Sequence, residues 1–383
     1  MSTANDKQRP PGGRWQDKLL PLLGITLVTG GFILLSWFAY LWLTPQTAPY
    51  HYQLIAEGEA NQFPELELEA WPTLKVSKYE IHIAEKDQPI ALAYFGQKEK
   101  EGPVLLNWEN QTGEPLLALE RKPSELSALA SAIGKYVSPD ALILAWWDTS
   151  RQIHLLSERN TLFNAHLNEP LIIPARWQQH ADTIRTYESD LSHSVPTAQE
   201  RDQFQRFTEA LLQPPEAGAA KLRDLIGPNQ EAYLVIHVSD LYKLGLLHPD
   251  KFGVAYKNFM LTGNIHGLIN HMKVEMKEHD YNTYTLQSLS DRDIRAFFLA
   301  DEPSTQTLMA RLLPFTEKEP PLNLQAVQLV YQQGDTGYTS CHEASRQPIP
   351  LIASKPFTQS DDRVQLRLSR MIIKTQIKRE ERT

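Results

Sequence analysis

Several residues able to do chemistry sit close together in Ala141–Pro174. Trp146, Trp147 and Asp148 follow the short apolar run Ala141–Ala145, and Thr149, Ser150 and Arg151 come next. His154, Arg159 and His166 lie a little further on. Two aromatics and an acid at the end of a buried strand occupy the usual address of a site in an open α/β sheet. We therefore take Trp146, Trp147, Asp148, Thr149, Arg151, His154 and Arg159 as a candidate ligand or partner site. Three chemistries compete there. Arg151 and Arg159 could bind an anion beside Trp147, or serve in surface salt bridges. Asp148, His154 and His166 make up a carboxylate-plus-two-imidazole set of the kind that holds iron or zinc, without a specific spacing. Paired tryptophans are also ordinary packing, and Asp148 could simply cap the next helix.

Other catalytic signatures are missing. There is no G-x-G-x-x-G, no G-x-x-x-x-G-K-[ST] and no G-x-S-x-G. No catalytic residue and no metal ligand is assigned. The single cysteine, Cys341, allows no C-x-x-C pair, and no C-x-x-C-H occurs, so no covalent haem and no other cofactor is expected. His237 ends an apolar strand and reads as a core histidine. The net charge of −8 and the lack of a basic patch in the body argue against nucleic acid.

The elements that must position these residues follow from the pattern. Residues 1–18 form a polar, basic tail, expected in the cytoplasm. Leu19–Leu43 is uncharged and long enough to span a bilayer. Trp37, Tyr40 and Trp42 gather at its far end, and Thr44–Pro49 is a poor cleavage site, so an uncleaved anchor is expected. Basic residues precede the span and none follows until Lys75. That bias places the N-terminus in the cytoplasm and the body in the periplasm, on a single-pass inner-membrane protein. Residues 44–120 read as a linker and a small β-rich lobe, with strands near Val76–Ala84, Ile90–Phe95 and Val104–Trp108. Residues 121–334 alternate helices and strands. Ser124 is expected to cap a helix, Ile153–Leu156 and Leu171–Ile173 to be short strands, and Ala232–Val238 a buried strand leading into a helix. A hairpin is expected at Tyr284–Leu299, and a last strand at Leu324–Tyr331. The class is α/β: a single N-terminal transmembrane helix, a small β-rich lobe, then a mixed α/β sheet domain flanked by helices.

Long blocks resemble the hydroxylamine oxidation protein B family (HaoB). They are WENQTGEPLLAL (Trp108–Leu119), ALILAWWDTSRQIHLLSERNTLF (Ala141–Phe163), AYLVIHVSDLYKLGLLHPDKFGVAYKNF (Ala232–Phe259), LTGNIHGLINHMKVEMKEH (Leu261–His279) and YTLQSLSDRDIRAFFLADE (Tyr284–Glu302). The resemblance implies a membrane-anchored periplasmic accessory protein of hydroxylamine oxidation in nitrification. Its implied partner is the octahaem hydroxylamine oxidoreductase, which the chain would assist or tether rather than replace as enzyme. A more local similarity joins Trp146-Trp147-Asp148 to the W-W-D segment of oligosaccharyltransferase catalytic subunits, whose next Tyr-Gly is Thr149-Ser150 here. It implies the alternative function, a periplasmic ligand-binding or enzymatic domain with a pocket around these three residues.

The tail departs from the family pattern. After Gly334 the chain runs through polar residues to Thr383 with no core period. Its codons, read one base out of register, can encode Tyr-Trp-Val-Tyr-Lys-Leu-Ser and a stop. Residues 335–383 are accordingly expected to be a disordered, frame-shifted extension.

Overall fold

A computed structural model describes residues 16–43, 47–98, 101–227, 230–261, 265–290, 292–313, 315 and 370–375. The chain divides into two units, Met1–Ala48 and Pro49–Thr383. The first contains helix α1 (Gln16–Leu43). Its apolar stretch Pro21–Tyr40 is long enough to cross a membrane, with mean hydropathy 2.0. Thr26 and Thr29 return their hydroxyls to the carbonyls of Leu22 and Ile25, so these two hydroxyls are satisfied within the helix.

The body begins with an antiparallel meander of β1 (His51–Glu59), β2 (Lys75–His82), β3 (Ala91–Gln97) and β4 (Val104–Asn110), paired in that order. β1 lies in the stretch the sequence suggested as a linker. Its side chains are mostly exposed, which removes the apolar alternation by which a strand is read.

Next come α2 (Pro123–Tyr136), β5 (Leu142–Ala145), α3 (Trp147–Ser157) and β6 (Asn160–Thr161). Then follow α4 (Ala181–Ser192), α5 (Ala198–Leu211), α6 (Pro215–Arg223), β7 (Ala232–His237) and α7 (Asp240–Leu247). β5 runs parallel to both β6 and β7. Ile143, Ala145, Tyr233 and Val235 point to one face, against Leu129 and Ile133 of α2. Leu144, Leu234 and Ile236 point to the other, into a core shared with Phe204, Phe207, Leu211 and Leu222 of α5 and α6. Burial on both faces is why these strands read as unbroken apolar runs.

A second antiparallel sheet holds β8 (Val254–Met260), β9 (Thr283–Ser288) and β10 (Asp293–Leu299) in the order 8-10-9. Helix α8 (Ile265–Glu278) covers it, with Leu268 and Met272 against Ala296 and Phe298. Two short helices, α9 (Glu302–Thr305) and α10 (Leu308–Leu312), follow. β11 (Arg370–Thr375) pairs antiparallel with β7. The expected hairpin of β9 and β10 is present, and the mixed α/β class with its N-terminal apolar helix holds.

Three local expectations change. Ile153–Leu156 is helical, inside α3, because four apolar residues cannot by themselves separate a strand from a helix. Ser124 does not cap α2; Pro123 opens it behind Lys122. Leu171–Ile173 contributes only one bridge, Ile172 to Leu117. Leu324–Tyr331 lies outside the described residues, as does residue range 335–383 apart from β11, a strand where no structure was expected.

Core and cap should be separable in solution. Phe207 is fully buried among Trp146, Phe163 and Phe204. Phe207→Ala is expected to cost about 3–5 kcal/mol by loss of transfer energy and creation of a cavity. Thr197 and Glu200 form a reciprocal capping box at α5, and Thr197→Ala should cost about 1 kcal/mol. Denaturant unfolding of the full chain, followed by near-ultraviolet circular dichroism, checks both.

Candidate functional site

Parallel strands β5 and β7 end side by side, and each is followed at once by an acid in the first turn of a helix. Asp148 lies in the first turn of α3 and Asp240 in that of α7. Two carboxylates so placed, Asp240 fully buried and Asp148 partly, demand cations. Lys243, one turn along α7, gives Nζ to Asp148 Oδ2 at 2.6 Å and to Asp240 Oδ1 at 3.1 Å. Arg121, in the segment joining the lobe to α2, reaches Asp148 Oδ2 at 3.2 Å and Asp240 Oδ1 at 3.7 Å. It also donates to Thr149 Oγ1 at 2.9 Å. The remaining oxygen of Asp240 accepts the amide of His237 at 2.8 Å. The four charges cancel. Burial would raise the Asp148 pKa, but Lys243 and Arg121 outweigh it and hold the carboxyl well below the usual range. Asp148 is thus a fixed anion, unsuited to act as a general base near neutral pH.

Beside this quartet a cleft opens between the β-rich lobe and the sheet domain. It encloses about 810 Å³, the open solvent at its mouth included. Phe95, Trp108, Leu117, Trp147, Ile172 and Leu191 contribute apolar walls. Gly102 shapes the edge. A Cβ there would stand 2.2 Å from the Ser192 carbonyl oxygen, so only glycine lets this turn meet the end of α4.

Helix α3 joins the two halves. β4 is an edge strand, and α3 covers its neighbouring carbonyls with donors: Arg151 bonds the Pro103 oxygen at 3.0 Å and Gln152 the Leu105 oxygen at 2.8 Å. Arg151 lines the cleft and, among the described residues, has no carboxylate within ion-pair distance; burial lowers its pKa to about 10. His166 also lines the cleft, its ring 4.3 Å from that of Trp147. Burial first, then the charge of Arg151, lower its pKa to about 3, so the imidazole is neutral.

At the cleft's other end Glu188 is buried without a cation. It accepts hydroxyl bonds from Tyr50 at 2.5 Å and Tyr52 at 3.0 Å. Desolvation outweighs those bonds and raises its pKa to about 7. Burial first, then the same acid, pushes both tyrosines above their ordinary value.

The structure distributes the candidate residues unevenly. Trp146, Trp147, Asp148 and Arg151 line the cleft, and Thr149 sits behind it on Arg121. Trp146 is fully buried edge-on to Phe204, with centroids 5.2 Å apart. Trp147 gives its indole N–H to the Glu169 carbonyl at 2.5 Å. His154 and Arg159 lie elsewhere. His154 Nδ1 meets the Arg159 carbonyl at 3.0 Å, and Arg159 donates to the carbonyls of Gly134 and Val137 that end α2.

The imagined two-histidine, one-carboxylate set is therefore not assembled. Among the described residues the only metal-compatible grouping is Glu275, Glu278 and His279, where Glu275 already pairs with Lys257. The row Ser239, His237, Glu125 has the order of a hydrolase triad. The Ser239 amide donates to Nδ1, which puts the ring proton on Nε2, facing Glu125 at 3.2 Å. All three are buried, so the row binds α2 to β7 and offers no nucleophile to solvent.

Sequence reasoning missed Arg121, Lys243, Asp240 and Glu188. One signal was legible: Val238-Ser239-Asp240 repeats after β7 the strand-then-acid arrangement of Trp146-Trp147-Asp148 after β5.

Two measurements probe these charges. Lys243→Met and Asp148→Asn should each cost about 2–4 kcal/mol, since each strands buried charge, and the double variant less than their sum. Denaturant unfolding of both single variants and the double gives the coupling. Glu188 has a folded pKa above the ordinary 4.5, so the folded state binds more protons between 4.5 and about 7 and stability falls as pH rises through that window. His166 has the opposite sign, its stability contribution lost as pH falls from 6.5 toward about 3. The difference between wild type and Glu188→Gln isolates the acid. It should move against wild type by roughly 2–3 kcal/mol from about pH 5 to about pH 8, and a flat difference would show Glu188 ionising normally.

No curated protein matches the chain at a significant level. A family model described as HaoA-associated protein HaoB matches residues 16–339, most of the chain's length. The chain belongs to that family.

Proposed function

We propose that this protein is a membrane-anchored periplasmic accessory protein of hydroxylamine oxidation that docks the octahaem hydroxylamine oxidoreductase, HaoA, at the inner membrane. The observation that carries the reading is the family match over residues 16–339, a family described by its association with HaoA. Three further features support it. Helix α1 supplies one apolar stretch of bilayer length. Lys7, Arg9, Arg14 and Lys18 precede that stretch, while the next basic residue after it is Lys75, a bias that favours a cytoplasmic N-terminus and a periplasmic body. The sequence has no C-x-x-C-H, so electrons would be carried by the partner's haems and the chain itself would act as scaffold rather than catalyst.

A tether requires both the span and the body. A tagged chain purified from native membranes should co-elute the octahaem oxidoreductase, read by haem absorbance and mass spectrometry. Separating the body from α1 by an inserted protease site should release the oxidoreductase from the membrane fraction together with the body. A preparation free of haem protein under mild solubilisation would overturn the docking reading.

A further inference from the structure

We propose that the cleft between the β-rich lobe and the sheet domain is a binding site for a small organic anion with a single negative charge on a flat, apolar body. This site stands independently of the docking of HaoA.

The charges argue first. Asp148 and Asp240 are matched by Lys243 and Arg121, two against two. Glu188, at the tyrosine-lined end, accepts from Tyr50 and Tyr52 and, among the described residues, forms no ion pair with Arg151. Arg151 is then the uncompensated charge of the cleft. Among the described residues its side chain has one hydrogen bond, to the Pro103 carbonyl, and no carboxylate within ion-pair distance. Glu101 and Asp148 reach it only through longer-range attraction, with Glu101 nearest His154 at 3.7 Å. A buried guanidinium has five N–H donors, and one peptide oxygen does not use them. Buried charges are ordinarily paired, so a cation left single in an apolar cleft calls for an anion from outside.

Orphaned polar atoms argue second, independently. Among the described residues, seven buried side-chain nitrogen or oxygen atoms lack a partner. Three of them, Trp108 Nε1, Trp146 Nε1 and Gln152 Oε1, belong to residues lining this cleft, and a fourth, His166 Nδ1, has Asn168 as its polar neighbour. Buried polar groups are normally satisfied, so these exceptions gather in residues packed around one cleft. The indole nitrogens are donors only, which again suits an acceptor-rich head group.

The walls argue for the body of the ligand. Phe95, Trp108, Leu117, Trp147, Ile172 and Leu191 present aromatic and branched surfaces around Arg151, the apolar lining usual in small-molecule sites. An inorganic oxyanion would satisfy Arg151 but leave those walls wet. A monocarboxylate on an aromatic frame meets both requirements.

The probe is 4-benzoylbenzoate, an aromatic monocarboxylate that cross-links on illumination, with 4-benzoylbenzamide as its uncharged counterpart. Equilibrium dialysis uses the full chain in lipid nanodiscs, with empty nanodiscs as the blank for partition. The carboxylate should bind at one saturable site and the amide about tenfold or more weakly, the scale of one charge-assisted hydrogen bond. In Arg151→Gln that preference should vanish while amide binding persists, which also reports that the variant is folded. Cross-links in wild type should fall in Pro103–Trp108 or His166–Ile172, a readout that needs no variant. Equal binding of the two probes, an anion preference that survives Arg151→Gln, adducts mapped elsewhere, or no saturable binding would each overturn the proposal.

Discussion

The body depends on the meeting of Asp148 and Asp240 at the carboxyl ends of two adjacent parallel strands. A carboxylate buried there needs cations beside it, because removing it from water costs several kcal/mol. Lys243 comes from the same helix as Asp240, so it is positioned once α7 forms. Arg121 comes from the far side, out of the segment that ends the β-rich lobe. The quartet therefore closes only when the lobe is seated on the sheet domain. Glu120, next to Arg121, extends the same junction to the third sheet through its ion pair with Arg295 at 3.1 Å. Two adjacent residues of one connecting segment thus tie the lobe to both parts of the remaining body.

Helix α3 translates that constraint into a cleft. Its first turn is fixed by Asp148 and Thr149, and its middle by Arg151 and Gln152 against the open edge of β4. Its end is held by the Trp71 indole, which donates to the Leu156 carbonyl at 2.6 Å. A helix pinned at three points along its length cannot roll to fill the space beside Trp147. The space is bounded on its remaining side by α4, whose Glu188 is anchored by two tyrosines from the chain at and beside β1. The cleft is thus a consequence of rigid neighbours rather than of loose packing.

What the sequence made legible follows the same physics. β5, β7 and α2 could be read because burial on both faces of a strand, or along one stripe of a helix, leaves a continuous or periodic apolar record. β1 left no such record, since its side chains are largely solvent-facing. Trp146, Trp147, Asp148 and Arg151 could be flagged by position alone, as residues after a core strand. Their partners could not. Lys243 is separated from Asp148 by 95 residues and Glu188 from Tyr50 by 138, and no local pattern encodes a contact of that span. His154 and Arg159 were drawn into the site by proximity in sequence. They belong to the far end of α3 and to the termination of α2, because a helix of eleven residues carries its ends well apart.

Stability alone does not account for the charge quartet. Well-packed apolar side chains of similar volume often hold two elements together as firmly as a buried ion network, without its desolvation cost. What leucines could not do is place two anions and two cations so that they neutralise one another at the cleft's edge. With that balance struck, the field inside the cleft is set by Arg151 and by an acid that keeps its proton to near neutral pH. Remove either aspartate and three cations would face one anion, a surface that attracts any counter-ion from water. With both in place the excess is a single charge set among aromatic walls, a combination that distinguishes an amphipathic monoanion from a bare one.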